Sequence, residues 1–220
     1  HRRVLETPCG RIATVDSKKV LNFAANDYLG LAGNAEIARA LADGAVQWGA
    51  GSGASHLVSG HPAPHEALEK EIAEFTGFPR ALTFSTGYLA NLAVTPTLAG
   101  RGDAVFADKL NHASLIDAMQ LAKANGAEVQ RYPHNDVAAL EKLLAASSAK
   151  HKLIVTDAVF SMDGDLAPLP LLFALAERHD TWLVIDAAHA SAPLGPPAPP
   201  TPPPSTPPPP PPTPLWAPRP

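Results

Sequence analysis

Several residues of this chain are of kinds that bind or move charge, and each falls at or just after an apolar run: Gly87, Tyr88, His112, Asp157, Ser161, Asp186 and His189. Ser85-Thr86-Gly87-Tyr88 leads into a helical pattern. The free backbone N–H groups at such a helix start attract an anion, a phosphate above all, although an ordinary Ser/Thr-capped helix reads the same locally. The His112 imidazole can lie flat on an aromatic ring or cap a helix. Ser161 offers a hydroxyl donor or belongs to a turn. Asp186 can pair with a cationic nitrogen or stand as a solvated acid, and His189, three residues on, adds a second imidazole.

The elements that must position these groups follow from periodicity. Residues 153–155 and 182–185 are short apolar runs ending in Thr156-Asp157 and Asp186, with a turn and a helical segment over about 170–179 between them. Strand, crossover helix, strand is the unit of a parallel sheet covered on both faces, and sites in such sheets lie beyond the carboxyl ends of the strands. Further strands are expected at 81–84, 103–106 and 128–132, and helices at 34–48, 65–76, from 114 to about 124, and 137–146, with Asn34 as an N-cap and residues 134–136 as a cap. Residues 11–15 and 20–23 flank Asp16-Ser17-Lys18-Lys19 as a hairpin. The regular alternation makes the fold class α/β, a mostly parallel sheet with helices on both faces.

Residues 49–61, G-A-G-S-G-A-S-H-L-V-S-G-H, form a glycine-rich loop that is either functional or a plain connector. Glycine there permits close backbone approach and positive φ. The spacing is not a dinucleotide fingerprint, which argues against a nicotinamide-binding enzyme. His61 and His65 are four apart, but Pro62 and Pro64 keep that segment out of a regular helix and no third ligand is near in sequence, so no metal is expected.

Composition bounds the rest. The 220 residues carry a net charge of −4, with no basic concentration that would suit nucleic acid. Cys9 is the only cysteine, which excludes an internal disulfide framework and fits a reducing, cytoplasmic setting. No apolar run approaches the ~20 residues that span a bilayer. From Pro193 on, 17 of 28 residues are proline with no acidic side chain, so 193–220 is expected to be a disordered tail. The organisation expected is an N-terminal segment with a hairpin at 1–30, a partial cofactor-binding domain at 31–192, and that tail.

Taken together, an anion cradle, a ring-stacking imidazole, a hydroxyl, a carboxylate and a second imidazole are what pyridoxal phosphate requires of a protein. The runs N-D-Y-L-G-L-A, G-S-G-A-S-H-L-V-S-G-H, F-S-T-G-Y-L-A-N-L-A-V, L-N-H-A-S-L-I-D and V-F-S-M-D-G-D-L-A-P-L-P resemble, in order, the α-oxoamine synthases, fold-type I pyridoxal-phosphate enzymes. The resemblance implies an incomplete large domain of that fold. It implies that Gly87 and Tyr88 offer N–H groups to the phosphate and that His112 stacks on the ring and helps position the amino acid. Ser161 and His189 hydrogen-bond the cofactor, and Asp186 pairs with the pyridine nitrogen. S-H-L-V-S-G-H and N-H-A-S point, within the family, to decarboxylative condensation of L-alanine with a pimeloyl thioester, on coenzyme A or acyl carrier protein, by a homodimer. A sister enzyme such as the one joining glycine to an acetyl thioester, and a non-enzymatic Pro-rich interaction protein, are the alternatives.

The chain also departs from the family. The family's Schiff-base lysine follows the D-x-A-H segment by roughly thirty residues, whereas the last lysine here is Lys152. The family continues A-H-G-T/S-G, and this chain runs Ala188-His189-Ala190-Ser191 and then into proline. A frameshift or assembly error after about 192 would produce such a tail, and the chain as it stands is expected to be inactive.

Overall fold

The computed structural model describes residues 3–191; the expected Pro-rich tail at 193–220 lies outside the described residues. A hairpin comes first, β1 (Ile12–Val15) paired antiparallel with β2 (Lys18–Leu21). Its loop is two residues shorter than expected. Asp16 (φ 48°) and Ser17 (φ 62°) alone make the turn, both in the left-handed conformation that two-residue hairpins favour, and Lys18 and Lys19 join the ladder. Helices α1 (Ala35–Trp48) and α2 (Ala63–Thr76) follow. Asn34 caps α1 as expected, its side chain accepting from the N–H groups of Glu36 and Ile37. Helix α2 begins two residues earlier than expected, because Pro64 sits in the first turn, where the missing N–H has no partner to lose.

The expected strand at 81–84 does not form. The N–H of Thr83 is taken by the Glu69 carboxylate at 2.8 Å, as is its hydroxyl at 2.9 Å, so this segment is tied to α2 rather than to a neighbouring strand. Beyond it the alternation is regular: α3 (Gly87–Leu98), β3 (Ala104–Asp108), α4 (Ala113–Ala124), β4 (Glu128–Tyr132), α5 (Val137–Ala146), β5 (Lys152–Asp157), α6 (Leu169–Arg178) and β6 (Trp182–Asp186).

The four strands β3 to β6 form one parallel sheet in the order β4-β3-β5-β6. Successive residues of β3 and β5 feed opposite faces. Ala104, Phe106 and Ile154 pack with Leu140 and Leu144 of α5 and Leu172 and Leu175 of α6. Val105, Ala107, Leu153 and Val155 pack with Leu115, Met119 and Ala122 of α4. Every residue of β3 is buried, which is why the strand reads as an apolar run from Ala104 to Ala107 before the buried Asp108 at its end.

Candidate functional site

The ladder between β5 and β6 sets Asp157 opposite Asp186, the last residue of each strand. Helix α3 starts beside them. Its Thr86 side chain accepts from the N–H of Leu89, so the capped-helix reading is correct for that residue, and no protein acceptor among the described residues takes the N–H of Gly87 or Tyr88. Helix α4 starts at the same edge, capped by His112. These elements enclose an open cavity of about 400 Å³ lined by residues that include Gly87, Tyr88, His112, Asp157, Asp186 and His189. The cavity therefore gathers residues from four separate parts of the chain. Ser161 is not among its lining residues; it lies exposed in the turn after β5.

Polar contacts connect the lining. Asp186 Oδ1 accepts from the N–H of Ala188 at 2.9 Å and Oδ2 from Asn91 Nδ2 at 2.7 Å. Asn91 Nδ2 also reaches Ser114 Oγ at 2.9 Å, and Ser114 Oγ lies 2.7 Å from His112 Nδ1. The backbone N–H of His112 donates to Asp157 Oδ2 at 2.7 Å. His112 is thus both a helix cap and a cavity residue, with its ring exposed. His189 Nδ1 is 2.7 Å from the hydroxyl of Tyr28, which brings the N-D-Y-L-G segment to the site. Tyr88 donates its hydroxyl to the Asp117 carboxylate.

Charge at this edge is unevenly distributed. Burial pushes the Asp157 carboxyl above its ordinary value and Asp186 beside it adds to the effect, while the His112 N–H works against both. The Tyr88 hydroxyl is raised by its hydrogen bond to Asp117. Next to the cavity, Asp108 at the end of β3 is fully buried and accepts from the N–H groups of Leu110 and Asn135, each at 2.8 Å. His134 bridges Asp108 at 3.0 Å and Asp165 at 2.7 Å. Burial opposes a charge on this ring, but the hydrogen bonds and charges of the two carboxylates outweigh it and hold the His134 pKa above ordinary.

Reading the sequence did not single out Asn91, Ser114 or Tyr28. Asn91 is four residues after Gly87, a spacing that shares one helix face, and Ser114 lies in the first turn of α4 beside its His112 cap; these positions were the available signal. The glycine loop stays apart from the cavity. Gly49 (φ 85°) and Gly53 (φ 73°) are left-handed, and a Cβ on Gly60 would strike the Ala54 carbonyl, so close approach is required there. No third ligand joins His61 and His65 among the described residues; a different set, His61, Glu66 and Glu69, brings its ligand atoms within 4.8 Å of one another. Glu69 is already engaged by Thr83, and Glu66 is exposed.

Fold and cavity together define an α/β protein whose pocket opens at the carboxyl edge of a parallel sheet, where a helix start faces a strand-end acid. The family model described as aminotransferase class I and II matches residues 18–203, and the chain belongs to that family. It is 87% identical over 196 residues to 8-amino-7-oxononanoate synthase of Dechloromonas aromatica (strain RCB), covering 89% of this chain and 51% of that protein. It is 62% identical over 196 residues to the enzyme of the same name from Herminiimonas arsenicoxydans, covering 89% and 50%. Among solved structures, a serine palmitoyltransferase variant from S. paucimobilis with a bound PLP–myriocin adduct is 32% identical with a TM-score of 0.79, covering 84% of this chain and 46% of that one. The 8-amino-7-oxononanoate synthase of Francisella tularensis is 33% identical with a TM-score of 0.59, covering 74% and 43%. The chain spans about half the length of the curated relatives it matches.

Proposed function

We propose that residues 3–191 form the cofactor-holding half of a pyridoxal-phosphate-dependent acyltransferase that condenses L-alanine with a pimeloyl thioester, on coenzyme A or acyl carrier protein. The products are 8-amino-7-oxononanoate, carbon dioxide and the free thiol. One observation carries the reading: a helix start with two unclaimed N–H groups, an exposed imidazole and a hydrogen-bonded carboxylate line a single cavity. The donor set fits the cofactor. Gly87 and Tyr88 would bind its phosphate at the N-terminus of α3, where the helix dipole favours an anion. A Cβ on Gly87 would meet nothing within 4 Å, so the approach to that N–H is open. Asp186, fixed by two donors, would hold a proton on the pyridine nitrogen. His112 would cover the ring face and orient the amino acid, and His189, steadied by Tyr28, would hydrogen-bond the phenolic oxygen. When bound, the cofactor supplies an electron sink for chemistry at the amino acid's Cα.

Supporting this choice of substrates, the curated relatives at 87% and 62% identity carry the name 8-amino-7-oxononanoate synthase. The 220 residues contain no lysine after Lys152, so the isolated polypeptide lacks the Schiff-base lysine and is inactive on its own. Large apolar side chains on α1 and α2 stand exposed, among them Leu41, Trp48 and Phe75, a surface that a second copy of the full-length protein would cover. No described helix is long and apolar enough to cross a membrane.

Titration of the chain with pyridoxal phosphate, followed by absorbance, tests the site. Saturable binding is expected, weakened about tenfold or more by Asp186→Asn, which removes the charge partner of the ring nitrogen. Binding indifferent to that change and to His112→Ala would refute the site. A chimera of residues 1–191 with the C-terminal half of the Dechloromonas aromatica relative tests the substrates. Thiol release is expected with L-alanine and pimeloyl-coenzyme A, and a preference for glycine with acetyl-coenzyme A would identify a sister enzyme instead.

A further inference from the structure

The side-chain amide of Asn91 is the junction of the polar network in the cavity. Its Nδ2 lies 2.7 Å from Asp186 Oδ2 and 2.9 Å from Ser114 Oγ. A carboxylate can only accept, so the NH₂ group must face Asp186, and the amide orientation is settled by chemistry. Both hydrogens are then assigned, one to Asp186 and one to Ser114 Oγ. Ser114 is 1% exposed, which leaves its hydroxyl no bulk water to bond. Having received a hydrogen from Asn91, it directs its own to His112 Nδ1, 2.7 Å away. The backbone N–H of Ser114 donates to the same Nδ1 at 3.2 Å. A ring nitrogen met by two donors carries a lone pair and no hydrogen.

We propose that Asn91 is a positioning residue that fixes the direction of this hydrogen-bond chain, so that His112 is held as the neutral Nε2–H tautomer. The ring then offers the cavity a single donor, Nε2–H, and never an Nδ1–H. Asp186 and His112, 74 residues apart in the sequence, are tied through one amide. This proton placement involves protein atoms alone, and it gives a fixed polarity to the residue that would face the ring in the proposed cofactor site.

The test is a long-range ¹H–¹⁵N correlation on the 220-residue chain with ¹⁵N-labelled histidine. The His112 pattern among the nine histidines is assigned by its loss in His112→Gln. A pyridine-type Nδ1 and a pyrrole-type Nε2 are expected. In Asn91→Asp an acceptor replaces the donor beside Ser114, so the hydroxyl turns toward residue 91 and the chain reverses. The Nδ1 signal is then expected to move toward the pyrrole type. In Ser114→Ala, which leaves the Asn91–Asp186 bond intact, Nδ1 keeps only the backbone donor and its signal shifts by less. Adding Asn91→Asp to Ser114→Ala should then change nothing further at His112. An Nδ1–H tautomer in the unmodified chain overturns the proposal. So does an unchanged Nδ1 in folded Asn91→Asp, and, should that variant fail to fold, an unchanged Nδ1 in Ser114→Ala overturns it instead. Pyridoxal-phosphate titration of the same samples separates the two readings. Correct tautomer without saturable binding refutes the cofactor alone, and binding with the wrong tautomer refutes the role of Asn91 alone.

Discussion

Helices α1 and α4 have similar lengths, 14 and 12 residues, and opposite fates. Helix α4 buries Ser114, Leu115, Ala118, Met119 and Ala122 against the sheet. Helix α1 buries none of its residues, and Leu41 is 75% and Val46 89% exposed. The contrast holds along the chain: residues from Ala104 onward close a core on both faces of the sheet, whereas those before Gly87 hold apolar side chains in the open. An amphipathic pattern is enough to form a helix but does not supply the surface that covers it. Isolated helices of fewer than ~12–15 residues are marginal in water, so α1 depends on local terms such as the Asn34 cap, and α4 depends on packing.

Matched substitutions test that contrast most directly. Leu140→Ala, at a fully buried position, is expected to cost about 2–5 kcal/mol, and Leu41→Ala no more than about 0.5 kcal/mol, by urea denaturation. Equal costs would mean that the two regions are equally packed. His134→Ala comes next, because His134 bridges the buried Asp108 to Asp165 within the packed region. The folded ring holds its proton more tightly than the unfolded chain does. Its contribution is therefore complete below the ordinary histidine pKa and is lost as pH rises through the raised folded value. A loss of about 2 kcal/mol at about pH 5.5, shrinking by about pH 8.5, is expected from denaturation at both pH values. A loss that grew with pH would reverse the assignment.

The helix caps give a finer comparison. Asp136 accepts from the N–H of Ala139 at the start of α5, as Asn34 does for α1. Asp136→Ala should lower global stability by about 1 kcal/mol, whereas Asn34→Ala should reduce hydrogen-exchange protection in α1 and leave the global midpoint in place. The smallest effect is expected at the hairpin turn. Ser17→Gly relieves a left-handed φ of 62° and should raise protection of β1 and β2 by up to about 0.5 kcal/mol, without altering the sheet.

What could be read from the sequence divides along the same line. Strand β4 and helix α5 have the limits that their periodicity predicts, because burial against the sheet enforces the pattern. The segment at 81–84 has the composition of a strand yet forms none, since Glu69, fourteen residues earlier, captures its backbone. No local pattern reports such a capture. At the site, Gly87, Tyr88, His112, Asp186 and His189 share the cavity as the order of strand ends suggested, and Ser161 does not line it. Asn91 and Ser114 escaped notice because a polar residue inside a helical pattern reads as solvent-facing until the neighbouring helix is placed.

The alternation of β6 between the two packed layers has a consequence for accuracy of folding. Leu183 leans on one layer and Val184 on the other, and Asp186 follows in fixed phase with them. Were β6 to slip by one residue against β5, Leu183 and Val184 would exchange layers and the carboxylate would leave its place beside Asp157. The interior thus proofreads the position of a carboxyl group at the strand end, and a chain that misplaces the acid also fails to fit its own core.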